Sequence, residues 1–284
     1  MRFGWLNDKN VFNTNSLIIK PILDFDTAVN DVIQSSQSDG SWYYSPIVFK
    51  TDMSSPKVVT VRYELPPTHQ LLLKNKIHDQ KFIEFMIVFF GWLHGLRLNP
   101  EGWGYLIKTP IKQGELSDFN KPRHADIEKL MIKAESFWYS HQQDNLANLL
   151  IGALNWYSLT QSYEHLFERF MGQYSVFDTL YKITSKNLNK NAVNHSVRFK
   201  FMSDNLKLVC PSWINEIADM RNELIHESKF AGMPIGFTAK SSQSNTLLGL
   251  KAFNCKVIAS IIGAEGPYTR ASCETQQLQP FDLD

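Results

Sequence analysis

His124 to His141 reads HADIEKLMIKAESFWYSH, and it marks where the chain changes character. Its apolar residues Ile127, Leu130, Met131, Ala134, Phe137 and Trp138 recur at three- and four-residue spacing, the period of a helix with one buried face. The same period continues downstream. Asn145 to Ser162 carries Leu146, Leu149, Leu150, Ala153, Leu154 and Tyr157 on one face, with Asp144 placed to cap it. A further helix is expected over His165 to Ile183. Pro211 opens another, to Glu227, at a position where its missing N–H costs nothing, and a last one over Asn245 to Gly263 ends at a glycine stop. A run of amphipathic helices without strands between them means a helical bundle.

Upstream the signals are those of strands. Ser16 to Leu23, Trp42 to Lys50 and Lys57 to Leu65 are rich in β-branched and aromatic residues, separated by the turn-formers Ser38-Asp39-Gly40 and Ser54-Ser55-Pro56. Pro66-Pro67 stops the third. Phe82 to Leu96, FIEFMIVFFGWLHGL, is the most apolar run, but it carries Glu84 and His94 and falls short of the roughly 20 apolar residues a membrane span needs. It is expected to be a buried helix, within Asp79 to Leu96, with Gly91 and Gly95 as packing or helix-end glycines. Gly102-Trp103-Gly104 starts an extended piece, Tyr105 to Lys112. Gln113 to Pro122 is the best linker. The fold class is therefore α+β: a mainly β N-terminal domain, 1–120, followed by a C-terminal α-helical bundle, 121–284.

Composition bounds the function. The 284 residues hold 29 Lys+Arg against 28 Asp+Glu, a formal net charge of +1, which excludes a histone-like basic coat and an acidic disordered tail. An aromatic content of 13% is too high for disorder. Cys210, Cys255 and Cys273 are far apart and form no C-x-x-C, so neither a disulfide scaffold nor a zinc ribbon is indicated. The start, MRFGWLNDKNVF, lacks the pattern of a secretory leader. A soluble, reduced, cytoplasmic protein is expected.

One helix carries a chemical signal. With Trp213 at zero and about 100° per residue, Ile217, Leu224, Ile214, Ile225 and Ala218 form one apolar stripe, and Arg221 falls within it at about 80°. Asn222 and His226, four residues apart, share one ridge at the stripe's polar edge. An arginine on a core-facing stripe needs a carboxylate, a phosphate or a cavity mouth. Taken alone, Arg221 also fits a structural salt bridge or a side chain reaching to solvent, and His226 an ordinary surface histidine.

The segment Met220 to Glu227, MRNELIHE, resembles the R-N-x-x-x-H signature of HEPN domains, and the resemblance extends over roughly Asn145 to Tyr268. Ala153-Leu154-Asn155-Trp156-Tyr157, Glu168-Arg169-Phe170 and Phe177-Asp178-Thr179-Leu180 look like the first two helices of the Apea-like HEPN subgroup. In that subgroup an acidic residue on the second helix faces the motif. Asp178 stands at that position, where relatives usually carry Glu. Met1 to about Asn120 resembles the strand-rich domains that precede some of these modules, where a protein or ligand trigger would act.

The resemblance implies a metal-independent, cofactor-free endoribonuclease working as a homodimer, with two R-N-x-x-x-H helices forming one cleft. Histidine suits proton transfer from the RNA 2′-OH or to the 5′-oxygen, because its ordinary pKa lies nearest neutrality. Arginine suits the charge on pentacoordinate phosphorus. In this reading Arg221, Asn222 and His226 are catalytic, with Asn222 orienting His226 or the phosphate and Asp178 holding Arg221. Products with a 2′,3′-cyclic phosphate are expected, and DNA, lacking the 2′-OH, escapes. Relatives act in antiviral defence or as toxins. The alternative is a HEPN module that binds RNA, nucleotide or a protein partner without cutting; a third is a structural dimer adaptor.

The stretch Tyr181 to Lys207 is basic, with Lys182, Lys186, Lys190, Arg198, Lys200 and Lys207 against Asp204. As a flexible loop before the motif helix it would grip RNA phosphates through Lys182, Lys186, Lys190, Arg198 and Lys200, with Tyr181, Phe199 and Phe201 available to stack on bases; an ordinary solvated loop, with the phenylalanines in the core, is the other reading. His69 and His78, or His141 and Asp144, make poor metal sites, and no H-E-x-x-H occurs. No phosphate-binding glycine loop and no G-x-S-x-G is present either.

Overall fold

The computed structural model describes residues 1–35, 42–52, 55–74, 80–102, 110–114, 117–160, 163, 165–192, 194–226, 246–274 and 280–281. Strands dominate the first part and helices the second, an α+β layout. In order these are β1 (Arg2–Gly4), β2 (Phe12–Asn13), β3 (Leu17–Pro21), α1 (Phe25–Ser35), β4 (Tyr43–Tyr44), β5 (Ile47–Asp52), β6 (Ser55–Tyr63), β7 (His69–Leu73), α2 (Gln80–Leu93), β8 (Asn99–Pro100) and β9 (Pro110–Ile111). Then follow α3 (His124–Ser140), α4 (Leu146–Leu159), α5 (Leu166–Leu188), α6 (His195–Leu206), α7 (Ile214–His226), α8 (Thr246–Ile261) and the short α9 (Pro267–Arg270). The chain forms two compact units, one of Met1–Glu115 with Arg123–Glu135 and another of Leu116–Pro122 with Ser136–Asp284. The division thus falls within α3.

In the first unit an antiparallel five-stranded sheet has the order β2-β3-β7-β1-β8. Alternation sets its register. Leu17 and Ile19, opposite Leu73 and Leu71, are buried, whereas Leu72 between them is exposed. The apolar run forms α2, buried along nearly its whole length. Its Phe90 packs edge-on to Phe3 and Phe12 of the sheet. Gly95 ends the helix in the left-handed region (φ 62), and a Cβ on Gly91 would lie 2.6 Å from the Leu96 carbonyl oxygen.

One strand expectation changes, and one helix falls where no element is expected from the sequence. Trp42 to Lys50 is broken at Ser45-Pro46 into β4, which pairs with β9, and β5, which pairs with β6. Proline has no N–H for a ladder, so the chain leaves one partner there for another. Phe25–Ser35 is a helix whose Phe25, Val29 and Val32 pack in a core with Trp5, Leu65 and Ile111. The expected turn at Ser38-Asp39-Gly40 and most of the Tyr105 to Lys112 segment lie outside the described residues.

At the start of β7 a polar group is buried and satisfied. His69 Nε2–H donates to the Asp8 carbonyl at 2.8 Å, and its Nδ1 accepts from Thr68 Oγ1 at 2.9 Å. Burial holds His69 down to a pKa of about 4, against a favourable hydrogen bond to Asp8. The unfolded chain takes up a proton below its ordinary value near 6.5, while the folded chain refuses it until about pH 4. This contribution to stability is therefore complete above pH 6.5 and declines as pH falls, by up to about 3 kcal/mol near pH 4. Urea unfolding followed by Trp fluorescence should show that slope. His69→Gln, which keeps a donor for Asp8, should flatten it.

In the second unit an aromatic stack forms the centre. Phe177 of α5 lies parallel to Phe199 of α6 at 4.0 Å, and Phe199 meets Phe253 of α8 at 5.1 Å and Trp213 at 5.8 Å. A buried polar link joins α5 to α8: Asn254 Nδ2 donates to the carbonyl and Oε1 of Gln173, and Gln173 Nε2 donates to Thr160. Asp144, expected to cap α4, lies one residue before the cap: Asn145 holds that position in the left-handed region (φ 66), and Asp144 accepts from the Leu146 N–H at 3.0 Å.

Candidate functional site

Helix α7 owes its setting to Trp213, the residue just before it. The indole is 4% exposed and lies flat against Gly249 of α8, where a Cβ would come within 2.8 Å of the ring. Ile217, Met220 and Leu224 follow at helical spacing as the buried line. That line is narrower than the stripe expected from the sequence: Ile225 is exposed and Ala218 and Ile214 are half-buried. Arg221 accordingly stands at the flank of the buried line, half-buried, and not in its middle. Asn222 and His226 lie on the exposed side.

There the three motif side chains meet. Arg221 Nη1 donates to Asn222 Oδ1 at 3.1 Å and to His226 Nε2 at 3.0 Å. Guanidinium is a donor only, so this contact makes Nε2 the acceptor and leaves the ring proton on Nδ1. The Nε2 lone pair of His226 is thus capped by Arg221.

Asp178 corrects an expectation. Its Oδ1 accepts from Arg198 Nη1 at 2.8 Å, and Arg198, not Arg221, is its partner. The reason is α6. His195, Arg198, Phe199 and Met202 recur at helical spacing, so burying Phe199 and Met202 sets Arg198 against the Tyr174–Asp178–Tyr181 ridge of α5. The guanidinium also lies over the Tyr181 ring, 4.7 Å from its centroid. His195 completes the group: its Nδ1 is 2.5 Å from Tyr174 Oη, 3.5 Å from Arg198 Nη1 and 4.0 Å from Asp178 Oδ1.

Charge and burial tune this cluster. Burial, reinforced by Asp178, pushes the Tyr174 phenol well above its usual range, with Arg221 and Arg198 opposing. Burial and Arg198 hold His195 below the ordinary histidine value; Asp178 opposes and Arg221 adds to the lowering. Arg221 therefore lies near enough for its charge to act on both Tyr174 and His195.

The basic segment is not the loop expected. It comprises the end of α5 and α6, separated by a short turn that begins where Asn189 leaves the helix in the left-handed region (φ 51). Lys182, Lys186, Lys190 and Lys200 are exposed; Arg198 is half-buried and engaged as described. Phe199 is in the core, and Tyr181 is bonded through its hydroxyl to the Ala192 backbone. Sequence reasoning misses Tyr174 and His195, because their significance depends on α6. The i, i+3, i+4, i+7 spacing of His195, Arg198, Phe199 and Met202 is the available signal, masked by asparagines and charge.

Among the described residues no group of three or more His, Cys, Asp or Glu side chains is placed to hold a metal, and no helix is long and apolar enough to cross a membrane. Comparison with protein-family models, with curated proteins and with solved structures gives no match.

The pairing of Asp178 carries a quantitative expectation. Asp178 and Arg198 are partly exposed, so a double-mutant cycle on them should give a coupling of roughly 0.5–1 kcal/mol. The same cycle on Asp178 and Arg221 should give a coupling near zero. Thermal or urea unfolding of the single and double alanine variants measures both.

Proposed function

We propose that the helical unit is a metal-independent endoribonuclease of HEPN type, acting in the cytoplasm as a homodimer, with Arg221, Asn222 and His226 as its working residues. The observation that carries this reading is the contact of Arg221 with His226 on the exposed side of α7. It joins a phosphate-binding cation to a proton acceptor at one small site. A phosphodiester competes for Arg221, because a phosphate is a better partner than a neutral imidazole. As Arg221 turns to the phosphate it releases the Nε2 lone pair of His226.

The freed imidazole then takes the proton of the 2′-OH as that oxygen bonds to phosphorus. Arg221 balances the charge on the pentacoordinate centre, and Asn222 steadies the ring or the phosphate. The bond from phosphorus to the 5′-oxygen breaks, the His226 imidazolium gives its proton to that oxygen, and a 2′,3′-cyclic phosphate remains. The exposed lysines Lys182, Lys186, Lys190 and Lys200 supply sequence-independent attraction for RNA. The N-terminal unit is proposed to sense a trigger, and the resemblance favours a defence or toxin role.

One observation favours a second reading, RNA binding without cleavage: the base is capped by Arg221 in the free protein. A single experiment separates the two. Incubated in EDTA with total RNA or tRNA, the protein should yield fragments ending in 2′,3′-cyclic phosphate, and His226→Ala should abolish them, a loss of at least about 100-fold. Salt-sensitive RNA binding without fragments, unchanged by His226→Ala, would establish the binding module instead.

A further inference from the structure

A second histidine stands beside the motif helix and has no part in the chemistry above. His195 opens α6, and its Nδ1 faces Tyr174 Oη at 2.5 Å and Arg198 Nη1 at 3.5 Å. Arg198 can only donate. The Tyr174 phenol, 3% exposed, can donate or accept, and with the Arg198 N–H already directed at Nδ1 it donates. With two donors aimed at it, Nδ1 is an acceptor and the ring proton sits on Nε2. A proton on Nδ1 would oppose Arg198 and displace the Tyr174 donor.

The ring is therefore locked in one neutral tautomer. Its Nδ1 edge is turned to the interior, and 26% of the side chain remains exposed. Nε2–H is left on that exposed side, with no hydrogen-bond partner among the described residues. Around the ring stand the charges of Arg198 and Arg221 and one carboxylate, Asp178, which lies 4.0 Å from Nδ1 and is itself paired with Arg198, so the surrounding charge is net positive. A neutral N–H donor in a positive field selects an anionic acceptor, and it cannot serve as a base without breaking the contacts that orient it.

We propose that His195 is a substrate-positioning residue, its Nε2–H donating to a non-bridging oxygen of the RNA phosphate that Arg221 holds, with no proton transferred. The proposal rests on reading α7 as an RNA-phosphate site. It assigns the two histidines different work: His226 exchanges a proton, while His195 fixes where the phosphate lies. Tyr174 and Arg198 act through His195 by fixing its tautomer.

The test uses the full chain and a 2′-O-methyl oligoribonucleotide, which offers phosphates but no 2′-OH to cut, with affinity read by fluorescence anisotropy. His195→Ala should weaken binding about tenfold, whereas His195→Gln, whose amide N–H falls near the Nε2 position, should stay within about threefold of the parent. With cleavable RNA, His195→Gln should leave both limbs of the pH–rate profile in place. Overturning results are His195→Gln binding as weakly as His195→Ala while circular dichroism shows both folded, His195→Ala binding like the parent, or a limb displaced in His195→Gln. A parent protein that binds the oligonucleotide but cuts no RNA would sink the nuclease reading alone; the loss in His195→Ala would still support the positioning role. A parent protein that binds no oligonucleotide would sink both.

Discussion

The Trp213 indole must be buried, and where it goes decides which side of α7 meets solvent. It lies on Gly249, where any side chain would collide with it, and edge-on to Phe199. Once it is seated, Ile217, Met220 and Leu224 follow inward at helical spacing. Asn222 and His226 must then face out, and Arg221 is left at the flank, held on one side and free to turn on the other. A packing constraint nine residues before Asn222 thus fixes the chemistry of the exposed ridge.

The positive charges near that ridge fall into two kinds. Arg198 is committed, paired with Asp178 and laid over Tyr181, and it serves to orient His195. Arg221 is held more lightly, by Asn222 and His226, uncharged acceptors that a phosphate would displace at little cost in the proposed function. The lysines along α5, the turn after it and α6 are exposed and add attraction without shape. A formal net charge of +1 is therefore compatible with the proposed nucleic-acid site, since the charge is concentrated at one place and balanced elsewhere.

Much of the fold was legible in the sequence where burial is strongly periodic or nearly continuous. The run over Phe82 to Leu96 is apolar almost all round, and the face of Leu146 to Tyr157 and the helix before His226 each have one buried side. Helices α1 and α6 were not legible, because each buries only a few residues among asparagines, threonines, serines and charges that also suit loops. The motif residues on α7 could be read locally, as they share one helix. The partner of Asp178 could not, since it depends on where Phe199 and Met202 bury the unforeseen α6. His195 and Tyr174 escaped for the same reason: the helical spacing of α6 is masked by its polar residues, and nothing along α5 alone marks Tyr174 as the partner of His195.

At the centre of this account, Arg221 caps the His226 lone pair and gives it up to a phosphate. Nitrogen-15 NMR of the histidine rings reports this directly, because an Nε2 that accepts from a guanidinium differs in shift from one that is released. Titrating the full chain with 2′-O-methyl oligoribonucleotide should move the His226 Nε2 resonance toward the position it holds in RNA-free Arg221→Ala. Saturating binding that leaves the His226 ring signals unchanged would contradict the claim.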